Sequence, residues 1–102
     1  MVHVLAMITA KPGQREALLA EFRANVPAVR AEDGCIEYGA AVDTDVFGER
    51  QATFGPDSLV VIEKWASAEA LRAHAVAPHM AAYGARTKEL IAKRAIHVLS
   101  PV

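Results

Sequence analysis

With 102 residues, 53% of them hydrophobic and 23% charged, the chain has the make-up of one folded globular domain spanning residues 1–102; a second domain and intrinsic disorder are excluded. A net charge of −1, with 11 Lys and Arg spread along the sequence, lacks the basic stripe of a nucleic-acid binder. Cys35 is the sole cysteine, which rules out intrachain disulfides and thiolate zinc centres and fits a reducing cytoplasm. The short apolar start has no basic flank, and no run approaches the roughly 20 apolar residues of a membrane span, so neither export nor membrane insertion is expected.

Val2 to Ala10 is apolar, rich in β-branched residues and stopped by Lys11-Pro12-Gly13, which predicts a strand. From Gln14 the period changes: Leu18 or Leu19, Phe22, Val26 and Val29 recur every three or four residues between charged positions, the pattern of an amphipathic helix. Pro27 removes a backbone donor and crowds the Arg23 carbonyl, so a kink or an early end is expected there. Glu32-Asp33-Gly34 is a turn signal. Cys35 to Val42 then reads as a strand with a small-residue face (Cys35, Glu37, Gly39, Ala41) suited to bordering a cavity.

Asp43 to Asp57 is polar but carries Phe47 and Phe54, which would be stranded in water unless the loop lies over the mouth of a cavity as a lid. Ser58 to Trp65 is a strand with Leu59, Val61, Glu63 and Trp65 on one face and Val60 and Ile62 on the other. Ser67 is a good N-cap for the next helix, which should falter at Ala77, restart at Pro78 and run to about Arg94. Ala95 to Leu99 closes the chain as a fourth strand. The order β-α-β-β-α-β is the ferredoxin-like split βαβ: an α+β fold with a four-stranded antiparallel sheet.

In that layout both helices cover one sheet face, and the other should be polar if it met water. Here Leu5 and Met7 lie opposite Val2, Val4, Ala6 and Ile8, and Val60 and Ile62 lie opposite Leu59, Val61 and Trp65. Both faces require burial, and a second copy packed sheet against sheet under two-fold symmetry supplies it.

Lys11-Pro12-Gly13, Gly34-Cys35-Ile36-Glu37-Tyr38, Glu63-Lys64-Trp65, His74 and Pro78-His79-Met80, in this order, resemble the antibiotic biosynthesis monooxygenase domains, which include quinol monooxygenases and form a dimeric α/β barrel. The resemblance covers nearly the whole chain. It implies a cofactor-independent monooxygenase that binds a quinol or polycyclic phenol in an apolar cavity, favours its anion and lets that anion reduce O2, with no metal and no redox cofactor. The absence from the sequence of GxGxxG, P-loop and HExxH motifs agrees with this.

The same resemblance singles out the site. Trp65 matches the family tryptophan and is expected on the barrel-facing side of its strand, stacking on a flat substrate or serving as packing. Glu63, on the same face, is a candidate for proton transfer, with an interface ion pair to Arg50 or Arg86 as the alternative. His74 is the natural acceptor of a phenolic proton, unless it is a capping or core histidine. His79, Tyr83 and Arg86 follow along one helix face as candidate substrate-binding residues or a solvated edge. His3, His97, Met7, Met80 and Cys35 read as structural.

Three other functions fit the barrel. Haem binding is disfavoured because Ala6 stands where haem-handling cousins carry an asparagine. Isomerisation of a small phosphorylated ketone would share the spacing of His74 and Pro78-His79, but needs a basic anchor from Arg72, Arg86 or Lys88. A non-catalytic small-molecule-binding barrel would hold an apolar cavity without a titrating group inside.

Overall fold

The computed structural model describes residues 1–102, in which β1 (Val2–Ala10), α1 (Arg15–Arg30), β2 (Cys35–Ala41), β3 (Ser58–Trp65), α2 (Ala68–Ala75), α3 (Pro78–Thr87) and β4 (Ile91–Leu99) follow in turn. Short 3-10 turns at Gly48–Arg50 and Lys88–Leu90 complete the chain. The four strands form one antiparallel sheet in the order β2-β3-β1-β4, so the split βαβ order read from the sequence is the fold.

Register decides which side chains share a face. Val4 lies opposite Glu63 on β3 and Val98 on β4, and Ala6 lies opposite Val61 and Ile96, so these positions all point toward the helices. The core forms there. Val4, Ala6, Ile8, Leu59, Val61 and Trp65 of the sheet meet Leu18, Leu19, Phe22 and Val29 of α1, each large side chain contributing roughly 1.5–3 kcal/mol by leaving water. The opposite face carries Leu5, Met7, Val60 and Ile62 half-buried and Ala95 and His97 exposed, with no helix over it. His3 Nε2 is buried on that face with no hydrogen-bond partner.

Ser67 Oγ accepts from the Ala70 N–H at 3.1 Å, capping α2, and Ala77 is extended before Pro78 opens α3, as the sequence predicts. Other expectations are corrected. Pro27 does not end α1, which continues to Arg30 and closes through Ala31 N–H donating to Pro27 O; only one backbone bond is missing, and buried Val29 beyond it holds the last turn on the core. α3 stops at Thr87 instead of running to Arg94. The Thr87 hydroxyl donates to Tyr83 O at 2.9 Å, the 3-10 turn redirects the chain, and β4 starts at Ile91 because pairing with β1 outweighs further helix.

β2 carries an irregularity between Cys35 and Glu37 that leaves Ile36 without a cross-strand partner. Cys35 pairs with Trp65 and Tyr38 with Glu63, so it is Tyr38, not the small-residue series, that faces the helices beside the cavity. The 43–57 loop is not a lid in this chain. It supplies no residue to the cavity wall, and Phe47 and Phe54 are 67% and 58% exposed. The Asp43 carboxylate gathers the loop by accepting from the Phe54 and Gly55 N–H groups, which holds its pKa below the usual aspartate value.

Candidate functional site

Between the helix-facing side of the sheet and α2–α3 lies a cavity of about 440 Å³ with 11 hydrophobic residues among the 16 that line it. That size suits a small aromatic molecule. Its polar lining is made by Glu63, His74, Tyr38, Tyr83, Thr87 and Arg94, with Tyr83 near enough to Arg94 to feel its charge.

Trp65 and Glu63 face α2, on the opposite side of β3 from the open sheet face, which corrects the barrel-facing placement expected for them. The strand alternation is as read, but the helices cover this face. Trp65 is fully buried and lines no part of the cavity; its Nε1–H donates to Glu63 Oε1 at 2.9 Å, and its ring lies against His74 with centroids 4.6 Å apart. Trp65 is thus a backing for the site and not a stacking platform within it. Burial pushes the Glu63 carboxyl above its ordinary pKa and Glu32 adds to the rise, while the Trp65 hydrogen bond and the nearness of His74 pull the other way. Glu63 forms no pair with Arg50 or Arg86.

His74 is buried on α2 and belongs to the cavity wall. Its Nδ1 is 2.8 Å from Glu32 Oε2, and the same oxygen is 2.7 Å from His79 Nε2. A carboxylate only accepts, so both imidazole nitrogens that face it carry hydrogen and donate. In neutral His74 this leaves the Nε2 lone pair free, 3.9 Å from Glu63 Oε1. Tyr38 packs edge-on to the His74 ring with centroids 5.6 Å apart, and burial, reinforced by Glu63, raises its hydroxyl far above the usual tyrosine range.

Glu32 is the residue that sequence reading missed. It sits in the turn between α1 and β2, 42 residues from His74, and its only local signal was the turn composition Glu-Asp-Gly. Gly34 sets that turn: it has φ +84°, and a Cβ there would come within 2.6 Å of the Ala70 Cβ of α2. The same turn is tied to β3 by Ala66 N–H donating to Gly34 O at 2.8 Å, so Glu32 and His74 are held on one framework.

The remaining candidates divide. Tyr83 is buried and lines the cavity; burial raises its hydroxyl pKa, opposed first by Arg94. His79 touches the site only through Glu32. Arg86 lies outside it, its Nε donating to Glu21 Oε2 of α1 at 2.8 Å, because that turn of α3 faces α1 and solvent. Arg72 pairs with Glu69 in solvent and, like Arg86, lies outside the cavity wall, and Lys88 lines only the groove that adjoins it. His74 and Glu63 both belong to the cavity wall, which distinguishes it from an apolar pocket without titrating groups. No helix is long and apolar enough to cross a membrane.

A family model described as Antibiotic biosynthesis monooxygenase matches residues 1–86. The Escherichia coli (strain K12) protein named "Probable quinol monooxygenase YgiN" is 40% identical over 103 residues, covering 99% of this chain and 98% of that one. The solved structure of Rv0793 from Mycobacterium tuberculosis superposes with a TM-score of 0.81 at 33% identity, over 99% of this chain and 94% of that one. PA3566 from Pseudomonas aeruginosa gives 0.82 at 30% identity, over 99% and 93%.

Proposed function

The chain belongs to the antibiotic biosynthesis monooxygenase family, and on that premise we propose that it oxidises a quinol or polycyclic phenol with O2, without a redox cofactor. The observation that carries this reading is His74 in the wall of an apolar cavity with its Nδ1 held 2.8 Å from Glu32 Oε2, which leaves Nε2 as the nitrogen available to a substrate. A phenolic hydroxyl bound against Nε2 gives up its proton to it. The imidazolium so formed is stabilised by Glu32 behind and Glu63 beside it, in a site too dry for water to do the same.

The electron-rich anion reduces O2 directly. One oxygen atom enters the substrate ring and the other leaves as water, with all four electrons drawn from the substrate and the proton on His74 returned to the departing oxygen. Tyr38 and Tyr83, kept neutral by burial, remain hydrogen-bond donors to the bound substrate. The catalytic residues of this reading are His74 and Glu63, and Glu32 is the positioning residue behind His74.

The working unit of the reading is a homodimer, supported by the apolar open sheet face and the unpartnered His3 Nε2 on it. Oxygen uptake by metal-free protein with a panel of hydroquinones, anthrones and catechols tests the activity. Uptake above autoxidation that falls at least about 100-fold in kcat in His74→Gln is the expected result. Uptake equal in wild type and variant would remove His74 from the reaction, and no uptake with any compound would overturn the reading.

A further inference from the structure

At its Arg94 end the cavity adjoins a second, more polar groove, lined by Lys88, Lys93 and Arg94 and sharing Arg94, Thr87 and Gly84 with it. Arg94, opposite Ile8, points to the cavity side of the sheet with Lys88 at the adjoining groove, whereas Lys93, opposite Thr9, points to the open face. The other basic side chains near carboxylates are engaged: Lys11 with Glu89, Lys64 with Glu37, Arg72 with Glu69 and Arg86 with Glu21. Lys88, Lys93 and Arg94 have no carboxylate within ion-pair distance and make no hydrogen bond through their side chains. The opposite end of the cavity is acidic, with Glu63 in its wall and Glu32 behind His74. The site is polarised along its length, and an occupant that matches it is phenolic at one end and anionic at the other.

Register supplies the span. Arg94 lies opposite Ile8, four residues along β1 from Val4, which is opposite Glu63. The two poles are therefore about 13 Å apart along the strands and about 10 Å across them, counted between backbones. A single hydroxylated ring with an adjacent carboxylate is too short to reach both, even allowing for the long reach of arginine. A fused ring system carrying its charge on the ring away from the reacting hydroxyl matches the span.

We propose that Arg94, with Lys88 at the adjoining groove, is the anchor for an anionic substituent, and that the ligand of this cavity is a fused-ring hydroxyaromatic carboxylic acid. The guanidinium receives the carboxylate by charge-assisted, bidentate hydrogen bonds, and Lys88 adds to the local positive potential. The assignment of the phenolic end to His74 rests on the function proposed above, whereas the anionic end stands on the unpaired Arg94 in the cavity wall.

The test is binding, measured anaerobically so that no turnover is needed. Trp65 is the only tryptophan and packs against His74, so its fluorescence reports occupancy. Naphthohydroquinone is compared with the same compound bearing a carboxylate on the distal ring, in wild type, Arg94→Gln and Arg94→Lys. The expected result is an affinity for the acid at least about tenfold above that for the neutral quinol, shrinking with salt. That ratio should fall toward one in Arg94→Gln and recover in part in Arg94→Lys. Because each variant is its own control through the neutral ligand, a general loss of folding cannot imitate the result. No preference for the acid in wild type, or a preference that survives in Arg94→Gln, overturns the proposal. Oxygen uptake with the two ligands then separates the two ideas: tight, Arg94-dependent binding of the acid without uptake would sink the monooxygenase reading and leave the anion site standing.

Discussion

Burial lifts the Glu63 carboxyl above its ordinary value of 4.5, and the sign of the consequence for stability follows from proton counting. Below about 4.5 the folded and unfolded chains both hold this proton. Above that, the unfolded chain releases it while the folded chain keeps it, so stability falls as pH rises through the raised folded value and stays lower at neutral pH. Glu63→Gln, which still accepts from Trp65 through its amide oxygen, should therefore melt a few degrees above wild type at neutral pH. The gap should close below about 4.5, and thermal melts across pH check it; a constant gap would point to packing. Glu32 carries the opposite expectation. Glu32→Gln leaves an acceptor for both histidines but withdraws the charge that steadies the imidazolium, so kcat should fall about tenfold or more with KM nearly constant. Steady-state kinetics on the best substrate of the oxygen-uptake panel decides it, and a drop confined to KM would place Glu32 in binding instead.

Among elements, the turn at Gly34 has the largest predicted effect on both fold and site. Gly34→Ala meets a left-handed backbone and the Ala70 side chain together, and should cost about 2–3 kcal/mol by chemical denaturation while loosening Glu32 from His74. Ser67→Ala, removing only the cap of α2, should cost about 1 kcal/mol. What the sequence reveals and conceals follows the same division between local and distant forces. The Ser67 cap, the break at Ala77-Pro78 and the alternation that puts Glu63 with Trp65 are set by neighbours in the chain, and all were legible. The side of the sheet those two residues face, the Arg86 bond to Glu21, the early end of α3 and the irregularity at Ile36 that turns Tyr38 toward the helices depend on partners far along the chain. Glu32 belongs to this second class: no spacing rule links it to His74 and His79, and only the packing of the turn on α2 does.

For the whole molecule, the proposed pairing of two chains turns on the open face of the sheet. Leu5 pairs with Ile62 across β1 and β3 at its centre, between Met7 and His3. Leu5→Glu or Ile62→Glu should convert a dimer into a monomer in sedimentation equilibrium, with secondary structure kept, since neither side chain contributes to the helix-facing core. A wild-type chain that sediments as a monomer at all concentrations would end the dimer reading. The order β2-β3-β1-β4 has one more effect. β4 is bonded on one side only, nine residues long, free of proline, and bears exposed Ile96, Val98 and Leu99 in its second half, with Lys93 and Arg94 only in its first. A newly made chain waiting alone thus shows neighbours a ready strand template, and its yield in the cell depends on how soon a proper mate arrives before a stray one does.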